Sequence, residues 1–182
     1  MTEFPVNTIE TAPEGAKPAL AALKSAFGFI PNIAGAMSTS PVLIDSLVGL
    51  FGKVHGGSFT EPQIQVLLLT NAVTNACSWA VAFHSFLALK EGIAPEDVER
   101  IRQGGVPADE TLAALSTLAK NLIEKRGRIS GEDVNNFLAV GFEKEHVLEV
   151  VAVVAASTIT NYTGNVTLPP LEEAFQPHVW NR

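Results

Sequence analysis

The sequence predicts an all-α fold, an orthogonal bundle of helices joined by short connections. Apolar residues recur with a helical period along most of the chain, and no convincing run alternates as a strand does. The breaks between these stretches are short and rich in Gly, Pro and Ser, residues that start and stop helices. Hydrophobic residues fill 47% of the 182 positions and charged residues 17%, enough apolar surface for one well-cored domain over residues 1–182.

An N-terminal arm (residues 1–16) leads into a short helix around Pro18 to Ala26, which stops at Gly28; Ile30-Pro31-Asn32 reads as a turn. Ser40-Pro41 places an N-cap before a proline at the first helical position, and this helix runs to about Val54, ahead of Gly56-Gly57. Thr60-Glu61-Pro62-Gln63 is a capping box, and the long helical region behind it continues to about Glu91. Gly92 stops that region, and Pro95 opens a short helix to about Gln103. After the loop Gly104-Gly105-Val106-Pro107, helices are expected over Asp109 to Arg126, from Ser130 to Gly141, and over Lys144 to Tyr162. The tail (168–182) is Pro-rich with one short turn. The helix, polar break and capped helix of 41–70 echo weakly in 110–140.

A net charge of −7 argues against nucleic-acid binding, because nothing supplies a basic stripe for phosphates. Arg100 with Arg102, and Lys125-Arg126-Gly127-Arg128, read as solvated helix ends. The single cysteine excludes an internal disulfide and a Cys-rich metal site, and fits a reducing, cytoplasmic setting. The N-terminus has no signal-peptide pattern. Of the two most apolar runs, Val66 to Leu89 is interrupted by seven polar residues and Val147 to Ile159 is too short to span a bilayer, so no membrane partner is expected. The high apolar fraction instead predicts helices covered on several sides, including by a second copy of the chain.

The chemistry concentrates in Asn75-Ala76-Cys77-Ser78-Trp79-Ala80-Val81-Ala82-Phe83-His84. On a continuous helix, Cys77 and His84 fall two turns apart on nearly one face, a nucleophile beside its base. Free cysteines are also commonly small core hydrophobes, and a buried His84 could simply bond a carbonyl, Thr74 or Asn75. Trp79 reads as a core or interface aromatic whose indole N–H needs one partner. Thr70, Asn71, Thr74, Asn75, Ser78 and Ser85 make this apolar region unusually polar, and Ser157 to Tyr162 forms a second polar island. His55, His146 and His178 share no ligand spacing with His84, so no metal and no cofactor are expected.

The order Gly28-Phe29-Ile30-Pro31-Asn32, Ser40-Pro41, Asn75 to His84, Gly92-Ile93 and Asn161 resembles the carboxymuconolactone decarboxylase superfamily, and within it the alkylhydroperoxidase D-like, peroxidase-related branch. The likeness covers about residues 27 to 175. It implies an orthogonal helical bundle of the alkylhydroperoxidase D-like type and a homo-oligomer, often a trimer or hexamer. For intact members it also implies antioxidant, peroxiredoxin-type reduction of hydroperoxides by a Cys-x-x-Cys pair. Such members carry a Glu twelve residues before the first Cys and a His four after the second; the matching positions are Gln65, Cys77, Ala80 and His84. The resemblance makes the second sulfur the one that takes up peroxide oxygen, so Ala80 removes it, Gln65 removes the carboxylate of the proton relay, and Trp79 stands where Tyr is common.

Turnover through an internal disulfide is impossible with one sulfur per chain. Three readings remain. Cys77 acts alone with His84 favouring the thiolate and an external thiol as reductant; or the pocket binds a small apolar ligand without redox chemistry; or it runs a lactone decarboxylase-like acid/base reaction, for which His84 is the only obvious ionisable group.

Overall fold

The computed structural model describes residues 4–181. Among them are nine α-helices and two 3₁₀ turns, and no strand. A 3₁₀ turn (Glu14–Ala16) leads into α1 (Lys17–Phe27), α2 (Asn32–Met37), α3 (Pro41–Val54), α4 (Glu61–Thr74) and α5 (Ser78–Lys90). Then come α6 (Pro95–Arg102), α7 (Glu110–Glu124), α8 (Gly131–Ala139), α9 (Lys144–Thr167) and a 3₁₀ turn in the tail (Glu173–His178).

The start signals act as expected. Ser40 Oγ accepts from Leu43 N at 3.3 Å to open α3. Thr60 N donates to Gln63 Oε1 at 2.9 Å ahead of α4. Ser130 and Asp133 bond reciprocally, Ser130 N to Asp133 Oδ2 at 2.7 Å and Asp133 N to Ser130 Oγ at 3.1 Å. Each device satisfies amide groups that a helix start otherwise leaves unpaired.

α4 is the central element, buried continuously from Ile64 to Ala72. It packs against α5, α6, α7 and α9. One of its faces joins Val66, Leu69 and Ala72 to the α1, α2 and α5 side of the core. The other joins Ile64, Leu67 and Leu68 to Leu115, Leu118, Phe137, Val150 and Val153. A helix apolar on all sides belongs in an interior. Two bonds set α4 parallel to α9: Ser58 Oγ donates to Glu149 Oε1 at 2.9 Å near their starts, and Asn165 Nδ2 donates to Asn75 O at 2.9 Å near their ends.

Three expectations are corrected. The region from Thr60 to Glu91 is two helices, broken at 75–77. Ala76 sits in the left-handed region at φ 52°. Cys77 N bonds Ala72 O at 2.9 Å, and Ala76 N bonds Val73 O at 3.1 Å. This is a Schellman termination with Ala76 where glycine is usual. Second, Ile30-Pro31-Asn32 is more than a turn: Pro31 caps α2, a six-residue helix buried from Ile33 to Met37. Third, α9 continues to Thr167 and is long and apolar enough by composition to cross a membrane. Its buried residues Val150, Val153, Ala156, Ser157, Thr160, Asn161 and Gly164 instead pack into the bundle.

Candidate functional site

The break after α4 decides where the thiol lies. Cys77 has extended backbone angles, φ −97° and ψ 96°, and is the N-cap of α5 rather than a residue within a helix. It is only 1% exposed. Its sulfur reaches the wall of α9, since a methyl group built on Gly164 would lie 2.7 Å from Sγ and 3.2 Å from Ile33 Cδ1. Glycine is what lets α9 approach the thiol.

Two opposed effects act on that thiol. Burial pushes its pKa up; the backbone N–H groups of Ala80 and then Trp79, in the first turn of α5, pull it down. Neither amide makes a formal cap hydrogen bond to the sulfur. Burial wins, so the enclosed Cys77 is a thiol at neutral pH.

His84 lies in the second turn of α5 and is 3% exposed. Its partner is Gln65, whose Oε1 lies 3.1 Å from His84 Nδ1, and not a backbone carbonyl, Thr74 or Asn75. With the amide oxygen facing Nδ1, that nitrogen carries the proton and Nε2 keeps its lone pair. Burial, and then the nearby His55 charge, lower the His84 pKa to about 3. The imidazole is therefore neutral at pH 7. It can accept a proton, but it supplies no positive charge to favour the thiolate as the sequence reading supposed. No hydrogen bond joins it to Cys77. Ala80, where the resemblance puts a second sulfur, lies between them in sequence and is fully buried.

The Trp79 indole finds its partner far away in the chain: Nε1 donates to Glu172 Oε2 at 3.0 Å. The ring stacks on Phe83 at 5.0 Å, and both pack edge-on against Phe175 from the tail. Most of the polar residues on α4, α5 and α9 bond back along their own helices, among them Thr74 to Thr70 O, Ser85 to Val81 O and Thr158 to Val154 O. Thr70 and Ser116 instead share a 2.8 Å hydroxyl bond from α4 to α7. Asn71 Oδ1, Asn75 Nδ2 and Asn161 Oδ1 are buried without a partner, a polar seam between α4 and α9.

Of the positions singled out in the sequence, Gln65 and His84 are brought into hydrogen-bond contact, and Trp79, Ala80 and His84 lie along the helix that Cys77 caps. Sequence reading missed Glu172, Gly164 and Ile33, which lie beside the thiol or its helix only through chain crossings of up to 93 residues. The acidic pair Glu172-Glu173 after Pro169-Pro170 was the single available hint of Glu172. Two hollows lie elsewhere: a groove of about 310 Å³ between α7 and α8, and one of about 110 Å³ beside Thr70, Ile101 and Lys120. The described residues hold no cluster of three or more His, Cys, Asp or Glu suited to a metal.

No protein-family model and no curated protein matches the chain. Solved structures do. An uncharacterized peroxidase-related protein from Ralstonia eutropha JMP134, with an alkylhydroperoxidase AhpD core, superimposes with a TM-score of 0.83 at 15% identity, covering 95% of this chain and 93% of that one. The apo debrominase Bmp8 gives 0.79 at 17% identity, covering 98% and 96%. That enzyme is also solved as a cysteine-to-alanine variant in complex with 2,3,4-tribromopyrrole. A peroxidase-related protein from Silicibacter sp. TM1040 gives 0.79 at 13% identity, covering 96% and 95%. At such identities the likeness is one of fold: this chain has the all-α fold of the alkylhydroperoxidase AhpD core.

Proposed function

On this alkylhydroperoxidase D-like fold, we propose a one-cysteine thiol oxidoreductase in which Cys77 reduces small hydroperoxides and an external thiol restores it. One observation carries the reading: Cys77 is the N-cap of α5, with the amides of Ala80 and Trp79 favouring its thiolate. Burial holds the thiol protonated while the site is closed. Once opened, the desolvation penalty falls and the helix-terminal amides remain.

In the reaction, the thiol proton passes to water admitted as the site opens, since His84, with its pKa of about 3 and no bond to Cys77, is too weak a base to hold it. The thiolate attacks the terminal hydroperoxide oxygen; an S–O bond forms and the O–O bond breaks. The alkoxide leaves as an alcohol with the returned proton, and Cys77 is oxidised to the sulfenic acid. One external thiol then displaces water to give a mixed disulfide, and a second releases Cys77 as the external disulfide forms. Gln65 holds His84 in the neutral tautomer in place of the family's carboxylate. A homo-oligomer, seated on the outer face of α9, and a reducing cytoplasmic setting complete the reading.

The test is trapping. After cumene hydroperoxide treatment, a sulfenic-acid reagent is expected to label the wild type and not Cys77→Ser. Absence of label while Cys77 alkylates readily would overturn the redox reading. A second reading, binding of a small apolar aromatic molecule, is favoured by the ring cluster of Trp79, Phe83 and Phe175 at the start of α5. The debrominase with the same fold binds tribromopyrrole. That reading predicts ligand-dependent thermal shifts that survive Cys77→Ser.

A further inference from the structure

One residue of α2, Ile33, lies beside the buried thiol. Ile33 and Cys77 Sγ crowd the same point over Gly164, within 3.2 Å and 2.7 Å of a methyl built there. α2 is short, so tertiary fastenings rather than its own hydrogen bonds hold it in place.

Two fastenings are visible, one at each end. Towards the C-terminal end, the N-terminal arm crosses α2: Asn7 N donates to Gly35 O at 3.2 Å, and Asn7 Nδ2 to Ser38 Oγ at 3.2 Å. At the N-terminal end stands Glu172. Its Oε1 accepts from Asn32 N at 2.6 Å and its Oε2 from Trp79 Nε1 at 3.0 Å. Asn32 Nδ2 also donates to Pro170 O at 3.0 Å. One carboxylate therefore ties the first amide of α2 to the first turn of the helix that Cys77 caps. Both bonds are charge-assisted, and both use donors that have no second partner here.

The rest of the tail is anchored independently. Phe175 is buried among Phe29, Trp79, Phe83 and Phe86. Arg102 donates to the carbonyls of His178 and Val179, each at 3.0 Å, and Trp180 Nε1 returns a bond to Arg102 O at 3.0 Å. Loss of the Glu172 bonds thus leaves only the Asn32 Nδ2–Pro170 O bond at the start of α2, and the tail stays docked.

We propose that Glu172 is the clasp that governs access to Cys77: when its two bonds release and the single Asn32–Pro170 bond yields with them, α2 pivots about the arm contact at Gly35 and Ile33 leaves the sulfur. A small organic hydroperoxide or apolar aromatic molecule then enters between α2 and the Pro169-Pro170 segment. Glu172 is a positioning residue, acting through α2. The inference deepens the thiol reading and rests on it, yet it fails separately.

Cys77 is the only cysteine, so alkylation reports on it alone. The full-length protein is labelled with iodoacetamide as wild type, Glu172→Ala, Ile33→Ala and the neighbouring control Glu173→Ala. Glu172→Ala and Ile33→Ala are expected to label at least about tenfold faster, as a local opening freed of two charged hydrogen bonds should, and the control at the wild-type rate. Amide exchange is expected to rise over 32–37 in Glu172→Ala but not in α4 or α7, whereas general loosening would raise all three. Should Glu172→Ala not fold, Glu172→Gln keeps one acceptor and is expected to label at an intermediate rate. Wild-type labelling in the Glu172 variants overturns the clasp, whether or not Ile33→Ala is fast. If the clasp variants label quickly but form no sulfenic acid with hydroperoxide, the clasp stands and the redox reading falls.

Discussion

The side-chain oxygen of Gln65 lies 3.1 Å from His84 Nδ1, and this bond joins α4 to α5 at the heart of the bundle. A carboxylate there would stabilise an imidazolium; an amide does not. With an amide at this position the imidazole stays neutral.

The His84 pKa, lowered from 6.5 to about 3, makes stability depend on pH with a definite sign. Below pH 6.5 the unfolded chain binds a proton that the folded chain refuses, so stability is full above that value and is lost as pH falls towards 3. The loss should reach about 2 kcal/mol at pH 5 relative to pH 8. Gln65→Glu, by restoring a carboxylate to Nδ1, should reduce that loss. Urea midpoints measured at both pH values for the two proteins check it.

Ala76 holds the left-handed position of a helix termination at φ 52°. Ala76→Gly should stabilise the fold by about 1 kcal/mol, and Ala76→Val should destabilise it by more. Chemical denaturation of the three proteins measures the order.

Gly164→Ala places a methyl 2.7 Å from Cys77 Sγ. It should cost about 2 kcal/mol of stability through overpacking, and Cys77→Ala in the same chain should recover a part of that loss. A double-mutant cycle reads the coupling, and additivity of the two changes would contradict the contact.

Ala80→Cys sets a second thiol three residues after Cys77, at the amide that already favours the Cys77 thiolate. Mild oxidation should form a reversible disulfide between them, leaving no free thiol in a folded protein. Ala80→Cys combined with Gln65→Glu should raise hydroperoxide loss with a dithiol donor above either single variant. Failure of the two sulfurs to pair would count against descent from a two-cysteine peroxidase.

Along the outer face of α9, Leu148, Val151, Tyr162 and Val166 are exposed, Leu148 at 71% and Tyr162 at 59%. Their 3-4 spacing forms a stripe that a second copy would cover. Light scattering at micromolar concentration should give an oligomer, and Tyr162→Asp with Val166→Asp should lower its mass. A monomeric wild type would rule the stripe out as an interface.

Periodicity and punctuation made the helices legible, because an amphipathic face and a cap at Ser40, Thr60 or Ser130 are local facts written in adjacent residues. Cys77, Gln65, Ala80 and His84 drew attention for a different reason, as spacings that resemble a family's motif. The break after α4 was hidden, since the stop residue is Ala76 rather than glycine and its strain is borne by tertiary packing. That break alone turned Cys77 from a helical residue into a cap. The sequence likewise put an imidazole near a thiol, but only burial decided that His84 is neutral and Cys77 protonated. The Glu172 bridge and the Gly164 contact depended wholly on the fold, because hydrogen bonds and van der Waals contacts act over a few ångströms and carry no memory of separation along the chain.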